Sequence, residues 1–203
     1  MKKIETICIF GDSTAWGAWD TEKGGWVNRL WLEMAEKDDD DWAAIYNCSI
    51  SGGTTETILK QFESEANVRD ADAFIFQTGG NDGSYVHTPE SFMVKPDDFR
   101  ENLQEIIKRA RKITDNIIFM GFENCDETKT MPVPWYDGLH YVNKNIEQYN
   151  ALVREVCKEH NIPFIEPEKL DNDEMEDGLH PNARGHEKIF VAVKDFLTKQ
   201  GWI

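Results

Sequence analysis

Ser13 closes the tripeptide Gly11-Asp12-Ser13 directly behind the apolar run Thr6 to Phe10, where a tight turn would lift its hydroxyl clear of a strand end. A serine hydroxyl is a poor nucleophile unless a neighbouring base removes its proton, so the same chain has to offer an imidazole. Asp177-Gly178-Leu179-His180-Pro181 offers one together with a carboxylate. Two intervening residues, one of them glycine, let Asp177 and His180 meet within a single turn; the carboxylate then holds one ring nitrogen protonated and leaves the other free to accept the serine proton. That chemistry is acyl transfer to water. Asp137-Gly138-Leu139-His140 repeats the same four residues with Tyr141 behind them in place of proline, and the spacing alone does not choose between the copies. Gly-Asp-Ser is also a common turn or helix-cap sequence, and Asn81 in Gly79-Gly80-Asn81-Asp82-Gly83 reads equally as an Asx-turn residue.

Asp12 invites a different reading, an aspartyl nucleophile for phosphoryl transfer. Such chemistry needs metal or phosphate partners, and the chain has no Walker loop, no Gly-Asn-His-Asp/Glu segment and no His-x-x-x-His pair. Asp12 is therefore expected to bond the turn backbone, and no metal or cofactor is expected. Gly-x-Ser-x-Gly is absent, which argues against an ordinary α/β-hydrolase even though the order Ser, Asp, His would suit one. His87, His160 and His186 have no comparable partner and are expected at the surface or in packing. Cys8, Cys48, Cys125 and Cys157 lie singly in apolar segments without a Cys-x-x-Cys pair, the pattern of reduced core thiols.

Short apolar runs alternate with longer segments of helical period, which predicts an α/β fold with a five-stranded parallel sheet covered by helices on both faces. The strands are expected at about Thr6 to Phe10, Ala43 to Asn47, Ala73 to Gln77, Asn116 to Met120 and Ile162 to Ile165. Helices are expected over Gly25 to Glu36, over Thr54 to Asn67, from an Asp97 or Asp98 cap through Lys112, over Asn143 to His160, and from Pro181 through Leu197. The tryptophans read first as core, with Trp16 and Trp19 as the alternative lining of an acyl pocket. Open parallel sheets bind ligands beyond the carboxyl ends of their strands, and Gly11-Asp12-Ser13-Thr14, Ser51-Gly52-Gly53-Thr54 and Gly79-Gly80-Asn81-Asp82 all fall there.

With 203 residues the chain suits one domain, residues 1–203, able to bury about 70% of its unfolded surface. A formal charge of -16 leaves no basic stripe for phosphates, so nucleic acid and anionic membrane surfaces are not expected partners. Apolar runs fall well short of the roughly 20 residues that span a bilayer. Met1-Lys2-Lys3 passes straight into the first strand, leaving no place for a cleaved leader, and the expectation is a soluble, cytoplasmic protein. Asp38 to Asp41 reads as a solvated loop and not a cation cage. Oligomeric state is not legible.

The four segments in their order resemble the blocks of the SGNH hydrolases, the GDSL esterase/lipase family. The resemblance spans nearly the whole chain. It implies a three-layer sandwich with the flavodoxin-like strand order 2-1-3-4-5, and a serine esterase that forms an acyl-serine intermediate without a cofactor. It implies Ser13 as nucleophile, His180 as base and Asp177 as its orienting carboxylate, because the family places its Asp-x-x-His just before a terminal helix. It further implies an oxyanion hole made of the Ser13 and Gly52 backbone N–H groups and the Asn81 side-chain amide. Gly53 stands where many members carry aspartate, and Gly52 is the expected donor of the two. Asp137 and His140 are then left near the mouth of the cleft, in a substrate-contacting segment from Glu123 to His140. Small soluble esters, acetylated sugars among them, are the favoured substrates. Lysophospholipase or thioesterase activity, a metal-dependent phosphoesterase and a non-catalytic ligand-binding relative are the alternatives.

Overall fold

The structure is a computed structural model and describes residues 3–37 and 42–203; the Asp38 to Asp41 run lies outside them. In chain order the elements are β1 (Thr6–Phe10), α1 (Ser13–Trp16), α2 (Trp26–Ala35), β2 (Ala44–Asn47), α3 (Thr55–Val68), β3 (Ala73–Gln77) and β4 (Tyr85–Val86). They continue with α4 (Pro96–Ala110), β5 (Ile117–Met120), α5 (Glu127–Thr130), β6 (Leu139–His140), α6 (Asn143–His160), β7 (Phe164–Ile165) and α7 (Ala183–Gln200). A parallel sheet of order β2-β1-β3-β5-β7 carries helices on both faces, which is the order 2-1-3-4-5 when its own strands are counted. Beside it, β4 and β6 pair antiparallel, Tyr85 opposite His140, in a ribbon that no alternating pattern in the sequence announces.

Period-two alternation in β1 sends Cys8 and Phe10 to one face and Ile7 and Ile9 to the other. Phe10, Phe62, Phe74, Phe76 and Phe119 pack ring on ring beneath α3, α4 and α6. On the opposite face Ile75, Ile118 and Met120 meet Trp26 and Leu30 of α2 and Ile189 and Val193 of α7. The four cysteines are buried and unpaired. No helix among the described residues is long and apolar enough to cross a membrane.

Several element ends differ from their expected places. The last strand is shorter because Asn161 takes a left-handed turn at φ 53° and the Ile162 N–H bonds back to the Cys157 carbonyl. The last helix starts after Asn182, whose side chain accepts from the Arg184 and Gly185 N–H groups, while Pro181 bridges to Met175. α4 begins at Pro96, its first helical residue, and Asp97 and Asp98 sit in its first turn instead of capping it. The core reading of the tryptophans fails for most of them: only Trp26 is fully buried, while Trp16, Trp19, Trp31, Trp42 and Trp135 are exposed.

Under the carboxyl ends of β1 and β3 the core turns polar. Trp26 Nε1 donates to Gln77 Oε1 (3.0 Å), and Gln77 Nε2 donates to the buried Glu123 carboxyl (3.2 Å). Burial first, then the neighbouring Asp12 charge, pushes Glu123 up to about 8. Between its ordinary value of 4.5 and about 8 the folded chain keeps a proton that the unfolded chain has released, so this group's contribution to stability is lost as pH rises through that window. Glu123→Gln keeps an oxygen acceptor for Gln77 and removes the titration. The variant should match the parent near pH 5 in urea unfolding and exceed it by at least about 1 kcal/mol near pH 9. Parallel stability profiles for the two proteins would mean that Glu123 is already ionised in the fold.

Candidate active site

β1 ends at Phe10, and Gly11 is required next: a Cβ there would stand 2.6 Å from Ala15 Cβ and 3.0 Å from the Gln77 carbonyl. Asp12 then caps the one-turn α1, its Oδ1 accepting the Thr14 N–H at 2.9 Å. Asp12 therefore bonds the turn, while its Oδ2 is buried without a partner, and burial pushes its carboxyl up to about 7. Ser13 opens α1 just beyond the carboxyl end of β1. Its Oγ lies 2.8 Å from His180 Nε2, and His180 Nδ1 lies 2.7 Å from Asp177 Oδ2.

Asp177 is tightly held. Its Oδ1 accepts the backbone N–H groups of Leu179 (3.0 Å) and His180 (2.8 Å), and its Oδ2 also accepts Trp19 Nε1–H at 2.9 Å. Burial pushes the carboxyl up, but the His180 ring and these backbone donors outweigh it and hold it down at about 2. The turn closes because Gly178 sits at φ +90°, against Lys129, and its carbonyl accepts the Asp126 N–H at 2.7 Å. Trp19 carries a positive φ of 65° in the loop between α1 and α2. That loop is pinned from below by buried Asp20, which takes Arg29 Nε and the Gly25 N–H, each at 2.9 Å. Arg29 continues to the Ala183 carbonyl (3.0 Å) and to Glu187 on α7.

Two further loops complete the cavity. Gly52 has φ +75° with open space around it, whereas the Gly53 N–H is occupied by the Ile50 carbonyl at 2.8 Å. Of the two glycines, Gly52 is the one on the cavity wall. Asn81 Nδ2 donates to the Gly53 carbonyl at 2.9 Å, and its Oδ1 accepts the Tyr141 hydroxyl at 2.5 Å. Asp82, buried beside it, accepts from Thr55 N–H and from the Thr55 and Thr78 hydroxyls, tying the third strand's exit to α3. Ser13, Gly52, Asn81 and His180 thus face one cavity of about 280 Å³, walled by Val86, Met93, Trp135, Tyr136 and Leu139.

The remaining candidates separate from this site. His140 lies on β6, and its ring stacks on Tyr85 at 4.7 Å and 11°. The segment from Glu123 to His140 does reach the cavity, through Trp135, Tyr136 and Leu139 and not through its histidine. Trp16 and Trp19 do not line it: Trp16 borders a separate groove with Trp31, and Trp19 is turned toward Asp177. His186 is a packing residue, fully buried between the Ala18 carbonyl (2.9 Å) and the Trp26 N–H (3.2 Å). His160 is at the surface beside Arg111, and His87 bonds the Gly138 carbonyl through its backbone N–H. The sequence reading offered Trp19 only as a lining of an acyl pocket and gave Tyr141 no role at the site. Nothing local marks an indole 158 positions away as a partner of Asp177, although the Tyr-for-Pro change after the second Asp-Gly-Leu-His did mark Tyr141 as different.

The fold is similar to that of a lipase/acylhydrolase from Enterococcus faecalis, 23% identical, with a TM-score of 0.73 over 97% of this chain and 97% of that one. It is similar as well to a variant of Axe2, an acetyl xylan esterase from Geobacillus stearothermophilus, 19% identical, with a TM-score of 0.76 over 100% of this chain and 98% of that one. In sequence it is 22% identical to the uncharacterized protein YpmR of Bacillus subtilis (strain 168), over 98% of this chain and 84% of that protein. Residues 9–188, from the end of the first strand into the last helix, match the model of the GDSL-like lipase/acylhydrolase family, and the chain belongs to that family.

Proposed function

We propose that this hydrolase is a serine esterase that cleaves carboxylic esters through an acyl-serine intermediate. The observation that carries this reading is the unbroken line Ser13 Oγ, His180, Asp177, opening onto a cavity that Gly52 and Asn81 also face. His180 Nε2 takes the Ser13 proton as Oγ attacks the ester carbonyl. Asp177 accepts from the other ring nitrogen, fixes the tautomer and stabilises the imidazolium that forms. The Ser13 and Gly52 N–H groups and the remaining Nδ2–H of Asn81 receive the oxyanion. His180 then protonates the departing alkoxide and activates water against the acyl-serine.

A cavity of about 280 Å³ sits at the small end of ligand sites. Together with the acetyl xylan esterase similarity, it favours small soluble esters, acetylated sugars included. The apolar walls at Val86, Met93 and Leu139 support the second reading, an acyl hydrolase for longer chains such as a lysophospholipase or thioesterase. p-Nitrophenyl esters of increasing chain length, assayed beside acetylated xylo-oligosaccharides, separate the two. Among the described residues no three His, Cys, Asp or Glu side chains are grouped to hold a metal. The same reading places the protein in the cytoplasm, where its free thiols stay reduced.

Ser13→Ala should lower kcat by at least about 10⁴ with the fold intact, and a fluorophosphonate probe should be found by mass spectrometry on Ser13. Turnover near that of the parent would remove Ser13 from the mechanism. His180→Ala should abolish hydrolysis, whereas His140→Ala, which loses only the stack on Tyr85, should leave kcat within about tenfold of the parent. The opposite ranking would transfer the base to the other copy of the motif.

Asp177 stays ionised down to about 2, so its support of the His180 ring is constant across the working pH range. Asp12, held at about 7 beside Ser13, is the group that titrates within that range, so the kcat/KM profile of Asp12→Asn should be flatter around pH 7 than that of the parent. Excess EDTA should leave the plateau unchanged. Loss of activity on chelation with recovery on adding a divalent metal would overturn the serine mechanism.

A further inference from the structure

The second Asp-Gly-Leu-His segment plays no part in the proton relay, yet the residue behind it touches the site. Tyr141 is buried at 6% exposure, and its hydroxyl donates to Asn81 Oδ1 at 2.5 Å. An asparagine amide has two opposite faces of nearly equal size, and which one points into a cavity is decided by the partners it finds. The Gly53 carbonyl takes one Nδ2–H at 2.9 Å, and Tyr141 supplies the donor that Oδ1 requires. With both bonds made, Oδ1 is turned toward Tyr141 and the second Nδ2–H is left to donate elsewhere.

We propose that Tyr141 is a positioning residue for Asn81, fixing its side-chain amide so that an N–H, not the oxygen, faces the reacting carbonyl. The inference rests on the reading of Asn81 as an oxyanion donor and extends it to a residue outside the family's blocks. Bonding at Oδ1 also draws charge from the amide nitrogen and strengthens the remaining N–H as a donor, since hydrogen bonds in a buried chain polarise one another.

Tyr141 is itself held for this task. Its N–H donates to the Thr130 carbonyl at 3.0 Å, and its carbonyl accepts the Thr130 hydroxyl at 2.8 Å. The preceding residue, His140, is paired with Tyr85 across the β4–β6 ribbon. Ser84, one residue before that ribbon, bonds the Asn81 carbonyl through its hydroxyl at 2.7 Å. The ribbon therefore grips Asn81 twice, at its backbone through Ser84 and at its side chain through Tyr141.

Tyr141→Phe keeps the ring and removes only the bond. Loss of one oxyanion donor outright costs about 10²–10³ in kcat, so a donor left in place but loosened should cost about 10-fold, with KM for p-nitrophenyl acetate changed by less than about twofold. A merely structural tyrosine would lower kcat equally in any background, and a double-mutant cycle distinguishes the cases. In the parent, Tyr141→Phe should show the 10-fold loss; in Asn81→Ala, already slowed about 10²–10³, it should change kcat by less than about twofold. An equal further loss in the Asn81→Ala background, or no loss in the parent, overturns the positioning role. Full activity of Asn81→Ala itself would instead overturn the oxyanion reading beneath it, so the two failures are told apart by the first single variant. Matching thermal melts of parent and Tyr141→Phe verify that the fold is unchanged.

Discussion

The hydrogen bond between Ser13 Oγ and His180 Nε2 joins the exit of the first strand to the loop before the last helix, 167 positions apart, and the rest of the site is arranged around it. Its 2.8 Å length tolerates little movement at either end. At the serine end the constraint is steric: Gly11 is wedged between Ala15 and the Gln77 carbonyl, so the backbone can turn in only one way, and the Asp12 cap sets the first turn of α1. At the histidine end it is a network. Asp177 holds the His180 backbone and ring at once, the Met175–Pro181 bridge closes the base of the loop, and Asn182 fixes where α7 begins. Arg29 couples the two ends, because the Asp20 loop that it anchors carries Trp19 onto Asp177, while its other nitrogens reach the first turn of α7.

The electrostatics around that bond are divided by solvation. Asp177 is held ionised by four donors, while Asp12 and Glu123, deeper and with fewer donors, are driven toward their neutral forms by burial. The division suits the proposed acyl transfer. A carboxylate beside the imidazole would stabilise positive charge developing there, whereas a full charge on Asp12, next to the proposed nucleophile Ser13, would oppose negative charge developing on a carbonyl oxygen. In a chain of formal charge -16, keeping negative charge out of the floor of the site depends on burial, and burial of this kind weakens the fold as pH rises.

The central strands and the helix stripes were legible because each depends on local periodicity that burial on both faces of a parallel sheet imposes; Ala73 to Gln77, buried at every position, is the plainest case. The meeting of Asp177 and His180 was readable from a turn chemistry confined to a few residues, whereas their pairing with Ser13, in preference to Asp137 and His140, came from the family resemblance. The tryptophans were not legible. Hydrophobicity predicts burial only on average, and five of these indoles are exposed, one of them because its N–H is directed to Asp177. The β4–β6 ribbon was missed for a related reason: two residues per strand are too few to carry a period, and their pairing is decided by contacts across the cavity.

The two Asp-Gly-Leu-His copies show how little four residues fix on their own. Both glycines take a positive φ, 71° at Gly138 and 90° at Gly178, so the local bend is shared. The residues behind each histidine differ. Pro181 and then the Asn182 cap turn the chain into α7 and leave the His180 ring over Ser13, whereas Tyr141 continues from a strand whose backbone pairs with Tyr85, and the His140 ring is drawn flat against that partner. In the first case the bend presents the histidine; in the second it presents the residue after it, and the Tyr141 hydroxyl, not an imidazole, reaches the site. The same local turn thus sets the proposed base against Ser13 on one side of the cavity and a hydrogen-bond donor against Asn81 on the other, with the choice made by whether the histidine lies over Ser13 or is held in a strand.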